Sequence, residues 1–123
     1  MKHGISETCY LFFSTLANPT RLAILELLRG GPRNVTEISK ALEQEQSMIS
    51  HNLKPLERCG FVFSEKKKKA RIYYMNKETM EQIFKTFAYH SDKYCPTDGK
   101  CLTDKKLKEH RKKDASRRLY VTH

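Results

Sequence analysis

The chain has 123 residues, enough for one domain with a modest core and too few for two. Its formal charge of +10, from 24 Lys and Arg against 14 Asp and Glu, favours a polyanionic partner, because neutralised phosphates release counterions. No apolar run approaches the roughly 20 residues that cross a bilayer, Met1-Lys2-His3-Gly4-Ile5 does not open a signal-peptide core, and four cysteines are too few for a secreted disulfide scaffold. The expectation is a cytoplasmic protein with no membrane partner, whose thiols are available for metal or redox chemistry.

Residues 5–17 predict a first helix, with Ile5, Cys9, Phe12, Phe13 and Leu16 on one face and Tyr10 and Leu11 adding apolar surface. Asn18-Pro19 stops it, because the residue before proline is biased out of the helical region. Thr20–Arg29 predicts a second helix, nearly all apolar through Leu22, Ala23, Ile24, Leu25, Leu27 and Leu28, and Gly30-Gly31-Pro32 ends it. So much apolar surface implies burial on more than one side.

Thr36 reads as the N-cap of a short third helix, with Val35 as a staple and Ile38, Ala41 and Leu42 facing inward. A turn at Glu43-Gln44-Glu45 leads to a fourth helix that Gly60 ends, and Pro55 predicts a kink in it. This helix sorts by polarity. At about 100° per residue, Gln46, Ser47, Ser50, His51, Lys54, Glu57 and Arg58 share one arc, and Met48, Ile49, Leu53, Leu56 and Cys59 share the opposite one. One face can pack on a core while the other offers the groups that read base edges and phosphates.

Phe61–Ser64 and Ile72–Met75 predict two strands, joined by Glu65–Arg71 with Lys66, Lys67, Lys68, Lys69 and Arg71. Helical periodicity returns over Lys77–Tyr94, with Met80, Ile83, Phe84, Phe87 and Tyr94 on a narrow seam. The fold is therefore expected to be mainly α with a small β-hairpin, in the order α-α-α-α-β-β-α of a winged helix-turn-helix. Residues 1–94 form the domain, and 95–123 form a cysteine-containing loop and a basic tail. That tail is either a source of nonspecific DNA affinity or a solubility device.

Three segments carry a resemblance to the ArsR/SmtB family of dimeric repressors: Leu16-Ala17-Asn18-Pro19-Thr20-Arg21-Leu22-Ala23-Ile24-Leu25, Ser47-Met48-Ile49-Ser50-His51-Asn52-Leu53-Lys54-Pro55-Leu56 and Cys59-Gly60-Phe61-Val62. The chain resembles that family over about residues 8–94. The resemblance implies a homodimer built from the first and last helices, binding to a two-fold operator in double-stranded DNA, and release by an inducer, often a metal ion. The residues support the dimer separately. Phe12 and Phe13 of the first helix, with Met80, Ile83, Phe84 and Phe87 of the last, give more apolar surface than one small domain covers. The alternative is that both helices pack only on their own domain.

On this reading Gln46 pairs with an adenine edge, Ser50 and His51 reach base edges or phosphates, and Ser47 and Lys54 hold the backbone. The wing, Lys66 to Lys69 with Arg71, meets phosphates or a minor groove; a solvated hairpin tip is the alternative. The thiolate pair of the better known metal sensors has no counterpart here, since Asn34–Ile38 lacks cysteine; their carboxylates and histidines along the dimer helix are not clearly present, since Asn76 and Lys77 stand where those ligands are wanted and only His90 lies late on that helix. What remains is Cys95 and Cys101 around Pro96-Thr97-Asp98-Gly99-Lys100, with Cys9 or His90 as a third ligand for arsenite, zinc or cadmium. A reversible disulfide and no regulatory role stay open beside it. Cys9 is also read as a buried small hydrophobe, and Cys59 as a small core residue.

No Gly-rich phosphate loop, paired carboxylates or nucleophile–base spacing points to an enzyme. The expected function is transcriptional repression by sequence-specific DNA binding. A constitutive or architectural DNA-binding protein without an inducer is the alternative.

Overall fold

The computed structural model describes residues 10–95. The described residues divide into two compact units, one ending at Met80 and the other beginning at Glu81. The first holds every strand and all helices but most of the last. Cys9, Cys101 and the basic tail lie outside the described residues.

Helix α1 spans Leu11–Leu16 and α2 spans Pro19–Leu28. Asn18 separates them by taking an extended conformation, and its side chain accepts a 3.0 Å hydrogen bond from the Arg21 backbone N–H. Pro19 then occupies the first helical position, where a missing N–H costs nothing. The helix thus starts one residue earlier than expected. Its inner face is Ile24, Leu25 and Leu28, all buried, but Leu22 is exposed, so α2 is covered on fewer sides than its composition implies.

A two-residue strand, β1 (Arg33–Asn34), precedes α3 (Val35–Leu42). Asn34, not Thr36, caps that helix. Its side chain accepts from Glu37 N at 2.8 Å, and Glu37 Oε1 accepts from Asn34 N at 3.0 Å. Thr36 as cap would place Ser39 at the reciprocal position, which lacks a carboxylate to return the bond. Ser39 instead donates its hydroxyl to the Gln44 carbonyl. Glu43 ends α3 in the left-handed region at φ 54°. Ile38 is buried as expected, whereas Ala41 is exposed.

Helix α4 spans Gln46–Arg58 and runs unbroken through Pro55. The carbonyl that Pro55 leaves without a donor belongs to His51, an exposed residue, so water can take its place. The helix closes in a Schellman turn. Gly60, at φ 76°, donates to Glu57 O at 3.1 Å, and Phe61 N donates to Leu56 O at 2.9 Å. Leu56 and Phe61, paired across that turn, are both buried.

Strands β2 (Val62–Lys67) and β3 (Ala70–Met75) form the hairpin, in register from Val62↔Met75 to Lys67↔Ala70. Arg33↔Tyr73 and Asn34↔Ile72 add β1 to the far side of β3, giving an antiparallel sheet in the order β1-β3-β2. The core of this unit is Ile24, Leu25, Leu28, Ile38, Ile49, Leu53, Leu56, Phe61, Val62, Met75 and Met80. Helix α5 spans Lys77–Tyr94, the bounds its periodicity predicts, and passes from the first unit into the second.

Candidate nucleic-acid interface

The polarity split of α4 survives in three dimensions. Ile49, Leu53 and Leu56 are buried, while Gln46, Ser47, His51 and Lys54 are exposed and Ser50 is half-buried. An amide, hydroxyls, an imidazole and an ammonium thus line the outer side of one helix. No side chain caps its N-terminus.

Two residues depart from the expected arcs. Met48, grouped with the apolar arc, is 50 % exposed. It sits about 90° from the centre of the buried arc, at the edge of what the core covers. Asn52, assigned to neither arc, is only 4 % exposed. Its Nδ2 donates to Met48 O at 2.9 Å and its Oδ1 accepts from Arg21 Nε at 3.1 Å. Arg21 Nη1 also donates to Thr15 O at 3.4 Å, so α1, α2 and α4 meet at one polar knot. Composition alone hides this; the only signal is an Asn in line with Ile49, Leu53 and Leu56.

A second link holds the turn before α4. Thr20 Oγ1 donates to Gln44 Oε1 at 3.3 Å, and Gln44 N donates to Ser39 O at 3.1 Å. The turn that leads into α4 is therefore held by both α2 and α3.

The lysines do not form an open loop. Lys66 and Lys67 lie on β2, and a two-residue turn, Lys68-Lys69, joins it to β3. Lys68 takes φ 55°, a conformation that favours glycine. All four lysines are exposed, with Arg71 beside them on β3. Arg71 Nη1 donates to Ser64 Oγ at 3.0 Å, and Ser64 Oγ donates to Glu57 Oε2 at 2.6 Å. Through these bonds the wing is tied to the C-terminal end of α4. Burial, and then the Glu57 carboxylate, push the Tyr73 hydroxyl above the usual tyrosine pKa, with the Arg71 guanidinium opposing them.

On α1, Thr15 is buried while Phe12 and Phe13 are exposed, Phe13 at 60 %. Phe12 packs edge-on against Phe61 with centroids 5.1 Å apart, and against Phe13 at 5.0 Å. In α5, Met80 is fully buried within the first unit, so it is not available to a partner as the seam reading has it. In the second unit Ile83 and Phe84 are half-buried and Phe87 is 57 % exposed.

Of the thiols, Cys59 is half-buried rather than a closed core residue, with its Sγ 3.4 Å from Thr15 Oγ1. Cys95 follows α5, half-buried, and its N–H donates to Ser91 O at 3.1 Å. His90 is exposed and lies against Tyr94, centroids 5.3 Å apart. Among the described residues no three His, Cys, Asp or Glu side chains converge on a metal-sized site. Nor is any helix among them long and apolar enough to cross a membrane.

Residues 18–64 match the profile of the bacterial regulatory protein, arsR family. The chain is similar to the HTH-type transcriptional regulator NmtR of Mycobacterium tuberculosis, 36% identical over 63% of this chain and 64% of that one. It thus spans less than two thirds of that relative's length. It is also similar to the transcriptional repressor SdpR of Bacillus subtilis, 34% identical over 57% of this chain and 77% of the repressor. Among solved structures, the homodimeric winged helix-turn-helix DNA-binding domain Mb0332 of Mycobacterium bovis superposes with a TM-score of 0.64 at 26% identity, covering 75% of this chain and 85% of that domain.

Proposed function

Because this chain belongs to the arsR family of bacterial regulatory proteins, we propose that it binds double-stranded operator DNA as a homodimer and represses transcription from it. The observation that carries the proposal is the exposed polar face of α4, Gln46 to Lys54, in the same compact unit as an exposed lysine hairpin. In this reading Gln46, Ser50 and His51 read base edges, and Ser47 and Lys54 hold the backbone. Lys66, Lys67, Lys68, Lys69 and Arg71 neutralise flanking phosphates. The dimer brings two such faces to half-sites about one helical turn apart. Phe12 and Phe13 of α1 and Ile83, Phe84 and Phe87 of α5 supply its apolar contact, and the location is the cytoplasm.

The reading extends to release by a thiophilic ion, arsenite, zinc or cadmium, or by thiol oxidation. Its support is the sequence, which sets Cys95 and Cys101 just past α5 with five residues between them, and Cys9 as a third thiol. Of these three thiols the described residues include Cys95 alone.

The test is selection from a random duplex pool by the purified chain. An enriched inverted repeat supports the proposal. Tight binding to every duplex alike replaces it with an architectural role, and no binding at low salt overturns it. Arsenite, zinc, cadmium and an oxidant are then added, with a Cys95→Ser, Cys101→Ser variant as control. Release of the parent chain but not the variant supports the inducer site; equal behaviour removes it.

A further inference from the structure

We infer that Met48 is a specificity-determining residue that reads the C5-methyl group of a thymine in the major groove. The inference rests on the DNA-binding reading above and adds a contact that its polar residues do not supply. Met48 is the one large apolar side chain of α4 left exposed. It occupies the third position of the helix, within the first turn, and at the edge of the polar face its neighbour is His51, three residues on.

The backbone there is held. Buried Asn52 donates to the Met48 carbonyl at 2.9 Å and is itself fixed by Arg21 Nε at 3.1 Å, so the Met48 main chain is anchored while its side chain is half in solvent. Arg21 and Asn52 are positioning residues for that first turn.

A thioether on a long unbranched chain has no hydrogen to donate and is at most a weak acceptor. It cannot discriminate the amide, carbonyl and ring-nitrogen groups of base edges. The one apolar feature a major groove presents is the thymine methyl. A flexible, polarisable side chain suits that target, because it can adjust to close contact without a fixed hydrogen-bond geometry.

The experiment uses the full chain and the duplex site that it selects from a random pool. Each dT is replaced in turn by dU, which removes only the methyl and leaves both base pairing and protein unchanged. At one position per half-site the parent chain should lose roughly 3–5-fold in affinity, the worth of one buried methyl. Met48→Ala should bind the dT duplex weaker by a similar factor and show no further loss on dU at that position. Met48→Leu should retain the dU sensitivity. Circular dichroism and thermal unfolding confirm that both variants fold.

Indifference of the parent chain to every dT→dU replacement overturns the inference. So does a Met48→Ala variant that still loses as much as the parent at the sensitive position. If no site is enriched, the sequence-specific reading fails and the inference goes with it; an enriched site without methyl dependence sinks the inference alone.

Discussion

Arg21 Nε donates a 3.1 Å hydrogen bond to Oδ1 of Asn52, a residue 4 % exposed on the inner side of α4. The same guanidinium reaches the Thr15 carbonyl at 3.4 Å, and the Asn52 amide continues to the Met48 carbonyl. A buried asparagine satisfied on both its oxygen and its nitrogen stabilises one arrangement of three helices, because each shifted arrangement leaves a polar group unpaired. This knot sets where the outer face of α4 stands.

Asn52→Ala removes both bonds and leaves Arg21 with its bond to the Thr15 carbonyl alone. The expected cost is about 1–3 kcal/mol of folding stability, measured by urea denaturation. DNA affinity should fall as well, even at temperatures where the variant is fully folded. Unchanged stability would show that the knot does not hold the helices.

The cap of α3 is tested by two single changes. Asn34→Ala breaks the reciprocal bonds with Glu37 and should cost about 1 kcal/mol, a drop of roughly 4–8 °C in Tm. Thr36→Ala, which touches no cap, should change Tm little. Equal losses would return the cap to Thr36.

Wing and helix should fail differently. Lys67→Ala with Lys68→Ala should weaken binding to all duplexes about equally and make its salt dependence shallower, by roughly one unit of slope per lost phosphate contact. Gln46→Ala should instead relax preference at one base pair, at about 1–3 kcal/mol of discrimination. Fluorescence anisotropy on matched and mismatched duplexes at two salt concentrations separates these outcomes; identical behaviour contradicts the division of roles.

Phe13 is 60 % exposed and Phe87 57 % exposed in a single chain. An aspartate at either position adds a charge where the proposed dimer buries apolar surface. Sedimentation velocity should show Phe13→Asp and Phe87→Asp shifted from dimer toward monomer with helical content retained. A parent chain that sediments as a monomer throughout removes the dimer from the account.

Much of this architecture was legible in the residues because it rests on periodicity. Helix α5 ends where its 3.6-residue pattern ends, and α4 begins at Gln46, where polar and apolar arcs separate. What escaped has physical causes. Strand β1 is two residues, too short for any alternation, and exists because Arg33 and Asn34 pair with Tyr73 and Ile72. Lys66 and Lys67 carry little intrinsic strand preference, yet the ladder extends over them to Lys67↔Ala70, since pairing with β3 outweighs propensity. Met80 shares the period of the seam residues but is fully buried, which periodicity alone does not distinguish. Asn52 was hidden because its partner, Arg21, lies 31 residues away in sequence.

The central claim, that the outer face of α4 and the lysine wing take the duplex, is tested most directly by backbone amide shifts of the nitrogen-15-labelled chain titrated with its selected duplex. The account predicts the largest changes at Gln46–Lys54 and Lys66–Arg71, with the core around Ile24 and Leu25 quiet. Saturable binding that leaves both segments unmoved and shifts another surface would contradict it.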